Sequence, residues 1–361
     1  MKLALNASFK DRLDTGSGQY LLHLARELAR PAHSVELQLF EPPSQSNLAK
    51  LRFEQIGFPR AARTAGVDLA HVPYFGPALF PRVPTVVTIH DLIPLILPAY
   101  RGSPKVRAYT QLASFAARRA QAIIADSVAS RRDIVRLLGI PEDKVRVIYL
   151  AADERYQPVT EPDQLNAVRA RFGLPDQFVL YLGGFDLRKN VPNLLHAYTK
   201  VAKGMGPDCA LVIAGRPPSG TSSLFPDVQQ LVKELDLADS VDFIGEVDEQ
   251  DKPALYTLAT CFAWPSWYEG FGLPVLEAMA CGTPVVAGNR GSLPEIVGDA
   301  GFLVEPADTN RMAGAIIASV IDEPLRREHR AKGLAQAAKF SWQKCAAETV
   351  EVYRHVLQRA L

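Results

Sequence analysis

Along the 361 residues, short apolar runs rich in β-branched side chains alternate with stretches whose apolar positions recur every three or four residues. The runs Lys2–Ala7, Val35–Phe40, Asp68–Val72, Thr85–Asp91, Ala122–Ser127 and Val145–Leu150 read as strands. Between them, Gln19–Arg30 puts Leu21, Leu24, Ala25 and Leu28 on one helical face, and Lys105–Gln121 also reads as a helix. Such alternation predicts a parallel sheet wrapped by helices. The pattern then restarts, with strands expected at Phe178–Gly183, Ala210–Gly215, Val241–Gly245, Cys261–Ser266, Pro284–Gly288 and Gly301–Glu305. Two six-strand sets without a sequence repeat predict an α/β chain of two Rossmann-like domains, residues 1–155 and 161–341. Pro158 and mixed polarity mark Ala151–Thr160 as the linker, and the parallel sheets are expected to face a cleft that holds the site. Trp342–Leu361 predicts a last helix, with Ala346, Val350, Tyr353 and Leu357 in one row, expected to pack back on the first domain.

Composition narrows the function. Hydrophobic residues make up 48% and charged residues 22%, so the chain can bury two ordinary cores. Forty basic residues against thirty-nine acidic ones leave a net charge of +1, which argues against nucleic acid as a partner. Cys209, Cys261, Cys281 and Cys345 are far apart and form neither a zinc knuckle nor a disulfide framework, so reduced thiols in a cytoplasmic protein are expected. Met1–Ala7 reads as a strand rather than a secretion signal, because Asn6 interrupts the apolar run. No stretch approaches the ~18 apolar residues of a membrane span, which leaves peripheral contact as the only kind of membrane contact expected.

The densest chemistry lies in Trp267–Pro284, read as strand end, glycine loop and short helix. Pro274 suits the first helical position and Gly282 the C-terminal cap, which places Gly270, Phe271, Gly272 and Leu273 at a helix start that attracts an anion. Glu269 precedes the loop and Glu277 is expected in the first turn, two carboxylates able to accept hydrogen bonds from sugar or ribose hydroxyls. The plainer reading makes Glu277 a partner of the helix dipole and Glu269 a solvated acid. Arg188 and Lys189 follow a strand and Gly183–Gly184, at the sheet edge where such folds bind ligands, and adjacent cations there suit a diphosphate. His90 falls at the tip of a first-domain strand. Gly16, Ser17 and Gly18 precede the first helix, where a loop could meet a phosphate or an acceptor; Leu21 stands where a dinucleotide fingerprint needs its third glycine.

Glu269 and Glu277, with seven residues between them, Gly-Phe-Gly-Leu-Pro inside and Cys-Gly-Thr-Pro-Val-Val after, resemble the signature of the retaining GT-B glycosyltransferases of the group 1 and family 4 type. The similarity takes in Leu182–Asn190 and Gly291–Glu295, and reaches more weakly over Thr15–Gly18 and Thr88–Asp91. It implies a nucleotide-sugar-binding second domain and an acceptor-binding first domain. It implies that Glu269 lies beside the donor sugar, that backbone amides of the loop hold sugar and phosphate, that Glu277 binds the ribose hydroxyls, and that His90 stands beside the transferring sugar. Many relatives carry an arginine about five or six residues before the lysine, where this chain has Gly184 or Phe185; either Arg188 takes over that contact or Lys189 serves alone.

Breaking a sugar–diphosphate bond leaves negative charge on phosphate, and no Asp-x-Asp is present to hold a metal against it. Lys189, Arg188 and the helix start at Gly270–Leu273 are expected to serve instead, with no cofactor or metal. The resemblance further implies retention at the anomeric carbon. The likeness of Gly183–Asn190 to bacterial polysaccharide mannosyltransferases implies GDP-mannose as donor, with a UDP-sugar second and a glycan or lipid-linked glycan as acceptor. Leu92–Tyr100 with Arg101, Lys105, Arg107, Arg118 and Arg119 would suit a membrane-side rim for a lipid-linked acceptor, although the plainer reading is a buried connection followed by a solvated helix face. The competing activities are a sugar-nucleotide epimerase of the same fold, a non-catalytic sugar-nucleotide-binding subunit and, more remotely, an NAD-dependent oxidoreductase.

Overall fold

The computed structural model of the protein describes residues 1–44, 46–206, 209–216, 220 and 222–360. The chain divides into two compact units, Met1–Ala151 with Phe340–Leu361, and Ala152–Lys339. In the first, strands β1 (Lys2–Asn6), β2 (Glu36–Phe40), β3 (Leu69–Val72), β4 (Thr85–Ile89), β5 (Ala122–Ala125) and β6 (Val145–Val147) pair in parallel in the order β2-β1-β3-β4-β5-β6. Every residue of β3, β4 and β5 is buried, as expected of strands covered on both faces, whereas the edge strand β2 is partly exposed along its length. The strand order reverses direction between β1 and β3.

The first helix runs Gly16–Leu28, so the glycines expected in a loop open the helix instead. Thr15 is the reason: it caps the helix and its side chain accepts the Gly18 N–H at 3.2 Å. A Cβ at Gly18 would stand 2.0 Å from the Arg12 carbonyl oxygen, so glycine there admits the chain's own preceding turn. Leu21, Leu24 and Leu28 are buried beneath it, each worth about 2 kcal/mol of transfer free energy. The helix expected over Lys105–Gln121 runs from Pro104 to Ala117, capped by Ser103. The last helix is Trp342–Ala360, with Leu361 outside the described residues. It packs on Gly16–Leu28, the Trp342 ring stacked on His23 at 4.6 Å, and Tyr353 lies 2.7 Å from His71 Nδ1.

The second unit holds β7 (Phe178–Leu182), β8 (Ala210–Ala214), β9 (Val241–Gly245), β10 (Cys261–Trp264), β11 (Val285–Gly288) and β12 (Phe302–Val304), again all parallel, in the order β12-β11-β10-β7-β8-β9. Its direction reverses between β7 and β10, and ligands of such sheets bind in the crevice outside the carboxyl ends of the strands at that point. Most of the expected strands end one to three residues late; those residues, Gly183, Pro265 and Ser266 among them, form the turns that carry the candidate site.

Candidate active site

The loops after β7 and β10 meet at this reversal. Leu187–Lys189 forms a single tight turn closed by Asn190, which adopts a left-handed conformation at φ 61°. The Asn190 amide donates to the carbonyls of Pro265 at 3.0 Å and Pro306 at 2.8 Å, which fixes the turn against the end of β10. From β10, Ser266 Oγ lies 3.1 Å from the Arg188 carbonyl, and the Trp267 N–H donates to that carbonyl at 2.8 Å. Two cations from one loop and Glu269 from the other are thereby brought into contact.

Glu269 is buried, not solvated. Its Oε2 accepts from Arg188 Nη1 at 2.6 Å, and its Oε1 accepts from Lys189 Nζ at 2.9 Å and from Trp264 Nε1 at 3.2 Å. Burial works against its charge, but the Arg188 and Lys189 cations outweigh it and bring the carboxyl down to about 2. Burial pulls the Lys189 ammonium below its usual range, with Glu269 opposing that shift. Arg188 also bonds the Tyr268 carbonyl at 3.1 Å and stands 3.6 Å from Asp186. The pair of cations expected to face a diphosphate directly is therefore already compensated by two carboxylates: a cation with no counter-charge is costly to bury.

Gly272 caps the helix Leu273–Ala280 with φ 103°, a conformation that glycine takes without strain. Pro274 is the second helical residue rather than the first, and Glu277 is the fifth, beyond the first turn where the dipole acts. Gly270, Phe271 and Gly272 are buried and Leu273 half-buried at this start, next to the Glu269 cluster. Ser292 Oγ lies 3.1 Å from the Glu269 carbonyl and 2.5 Å from that of Phe271, steadying the turn from the following loop. At the far end, Glu277 Oε2 accepts from the Tyr256 hydroxyl at 3.2 Å. Burial pushes its carboxyl up to about 7; Lys252 pulls down and Glu249 pushes up.

In the first unit, His90 follows β4 directly and Asp126 follows β5. His90 Nδ1 is 2.7 Å from Asp126 Oδ2 and Nε2 is 3.1 Å from the Pro73 carbonyl. Both neighbours are acceptors, so both ring nitrogens donate, as in an imidazolium. Burial disfavours that charge, yet Asp126 more than offsets it and the histidine titrates above its usual range. Of Gly16, Ser17 and Gly18, only Gly18 is buried, and its N–H is committed to Thr15. The segment 101–108 is exposed throughout, and Phe80 and Phe115, 68% and 58% exposed, lie under the guanidiniums of Arg119 and Arg118.

Sequence reasoning missed Asn190, Trp264, Asp126, Ser266 and Ser292 as site-building residues. The signal for Asn190 and Asp126 was their place just after the chemistry-bearing turn or strand; Trp264 looked like any buried strand residue. Among the described residues no three His, Cys, Asp or Glu side chains gather as a metal-binding set, and no helix is long and apolar enough to cross a membrane.

Residues 167–336 match the family described as Glycosyl transferases group 1, and residues 15–156 match Glycosyltransferase Family 4. The O-antigen chain mannosyltransferase B of Escherichia coli is 33% identical, over 94% of this chain and 96% of that protein. Among solved structures, sucrose-phosphate synthase from Thermosynechococcus elongatus superposes with a TM-score of 0.78 at 23% identity, covering 99% of this chain and 100% of that one. Anabaena HepE in complex with UDP and glucose gives 0.77 at 22% identity, with 98% and 100% covered. Two parallel six-strand sheets, the Glu269–Glu277 turn and these likenesses agree: the chain is a GT-B glycosyltransferase and belongs to the group 1 and family 4 glycosyltransferases.

Proposed function

We propose that this glycosyltransferase moves mannose from GDP-mannose to a hydroxyl of a glycan or lipid-linked glycan in polysaccharide synthesis, with retention and without a metal. A UDP-sugar is the second choice of donor. The observation that carries the reading is the Arg188–Lys189–Glu269 cluster at the strand-order reversal, beside the helix start capped by Gly272. A diphosphate placed there meets an ammonium and the N–H groups of a helix start, preorganised charge that can stabilise the leaving group. The mannosyltransferase relative supports the sugar. In the reaction the acceptor oxygen bonds to the anomeric carbon from the face the phosphate leaves, the carbon–phosphate oxygen bond breaks, and the acceptor proton passes to the departing phosphate. Glu269 sits beside the donor sugar, Glu277 takes the ribose hydroxyls, and His90, as an imidazolium, exchanges its Pro73 contact for a sugar oxygen.

The protein works on this reading at the cytoplasmic face of a membrane. Residues 92–125 carry five cations and no carboxylate, and the exposed Phe80 and Phe115 add apolar contact for an anionic lipid surface. Flotation with anionic liposomes is expected, and its absence removes the membrane part of the reading.

Proton NMR of the product formed from GDP-mannose and an acceptor glycan, with EDTA present, tests the chemistry. Transfer giving an α-mannoside is expected. A β-mannoside, transfer that needs an added metal, or an altered sugar released without acceptor contradicts it.

A further inference from the structure

Trp264 closes β10 and is 1% exposed, its ring lying nearly parallel to those of Tyr181, 5.4 Å away, and Phe262, 5.7 Å away. Two features set it apart from a core tryptophan. The indole N–H donates to Glu269 Oε1, and the Lys189 ammonium rests over the ring at 4.4 Å from its centre. Glu269 Oε1 thus has two donors, Trp264 and Lys189, while Oε2 accepts from Arg188.

The three donors are not equivalent. Arg188 also holds the Tyr268 carbonyl and faces Asp186, so moving its guanidinium would strand both groups at once. Lys189 Nζ has one hydrogen-bond acceptor among the described residues, although an ammonium has three protons to give. If Lys189 leaves Oε1, Trp264 still satisfies that oxygen. If Trp264 were absent, the departure would leave a buried carboxylate oxygen bare, which is costly.

We propose that Trp264 is a positioning residue that makes Lys189 the detachable cation of the cluster: it keeps Glu269 bonded when Lys189 turns to the diphosphate of a nucleotide sugar, while Arg188 stays as the fixed partner. The proposal rests on the sugar-nucleotide reading above and goes beyond it by dividing the labour between the two cations. It follows that Trp264 governs affinity for the diphosphate and not for the nucleoside, which lies at the Glu277 end of the turn.

The test replaces Trp264 with benzothienylalanine, which keeps the fused ring and lacks the N–H, alongside Trp264→Phe. Phe262→Leu loosens the same ring stack without touching Glu269 and serves as the packing control. GDP and UDP are titrated by calorimetry, and guanosine and uridine by ligand-detected NMR. The diphosphate that the wild type prefers is expected to bind the two Trp264 variants about tenfold more weakly, with the matching nucleoside unchanged and Phe262→Leu like the wild type for both. Wild-type diphosphate affinity in the benzothienylalanine protein, or an equal loss for nucleoside and diphosphate, overturns the proposal. A wild type that binds neither diphosphate refutes instead the sugar-nucleotide reading beneath it, so the two failures are told apart.

Discussion

Glu269 and Glu277 stand at opposite ends of one turn, both largely withdrawn from water, yet their carboxyls are driven in opposite directions. Glu269 is met by two cations and an indole N–H and falls to about 2; Glu277 is met by one tyrosine hydroxyl and rises to about 7. Burial is common to both, so the partners decide the sign. The stability consequences differ in the same way. Ionised Glu269 contributes stability that is in place above the ordinary carboxylate range, near 4.5, and is lost as pH falls toward 2. Glu277 favours the folded chain while protonated, an advantage that is full below about 4.5 and disappears as pH rises through about 7. One end of the turn is therefore a fixed charge over the working range, and the other is poised to change.

Breaking the charged end has the largest expected effect. Glu269→Gln leaves Arg188 and Lys189 buried without their shared counter-ion and should cost about 3 kcal/mol of unfolding free energy, read from urea titration. A cost under about 1 kcal/mol would mean that the cations are not held by this carboxylate. The poised end gives a smaller effect of a different kind. A carboxylate accepts ribose hydroxyls better than its acid, so donor KM should fall as pH rises from about 6 to about 8, by about tenfold, and Glu277→Gln should flatten that profile at the weaker value. A profile that is unchanged in Glu277→Gln assigns the titration to another group.

The first unit sharpens the comparison with a third arrangement, in which a carboxylate holds a histidine charged. Since Asp126 raises the His90 pKa, activity that depends on the imidazolium should decline at high pH, and Asp126→Asn should move that decline to lower pH. A shift of about one pH unit is expected in the pH profile of kcat. An unmoved limb would leave Asp126 a structural partner only.

Most of the fold was legible because the strands are short apolar runs, those of the second unit closed by glycine or proline, a signal carried by neighbours in the chain. The turn around Gly272 was legible for the same reason, within one helical position. What lay out of reach is set by partners far apart in sequence. Lys189 and Glu269 are 80 residues apart and His90 and Asp126 are 36 apart, so nothing local announced that the cations arrive already paired or that the histidine has both nitrogens engaged. Gly16–Gly18 misled in the opposite sense. Glycines before a helical pattern suggest a ligand loop, but Thr15 capping and the crowding of Arg12 draw them into the helix itself. Trp264 reads as core from its pattern, and what distinguishes it, the indole N–H aimed at Glu269 and the Lys189 ammonium over its ring, comes from partners the pattern does not show.

The central claim is that Lys189, with no metal, takes the diphosphate of a nucleotide sugar. It is tested most directly by thermal unfolding of the wild type and of Lys189→Met against GDP-, UDP- and ADP-sugars in EDTA. One donor, GDP-mannose first, should raise the wild-type melting temperature by several degrees at about 100 times its Kd, where binding adds about 2.7 kcal/mol, and should shift Lys189→Met far less. A shift that appears only when a divalent metal replaces EDTA, or one that is undiminished in Lys189→Met, would contradict it.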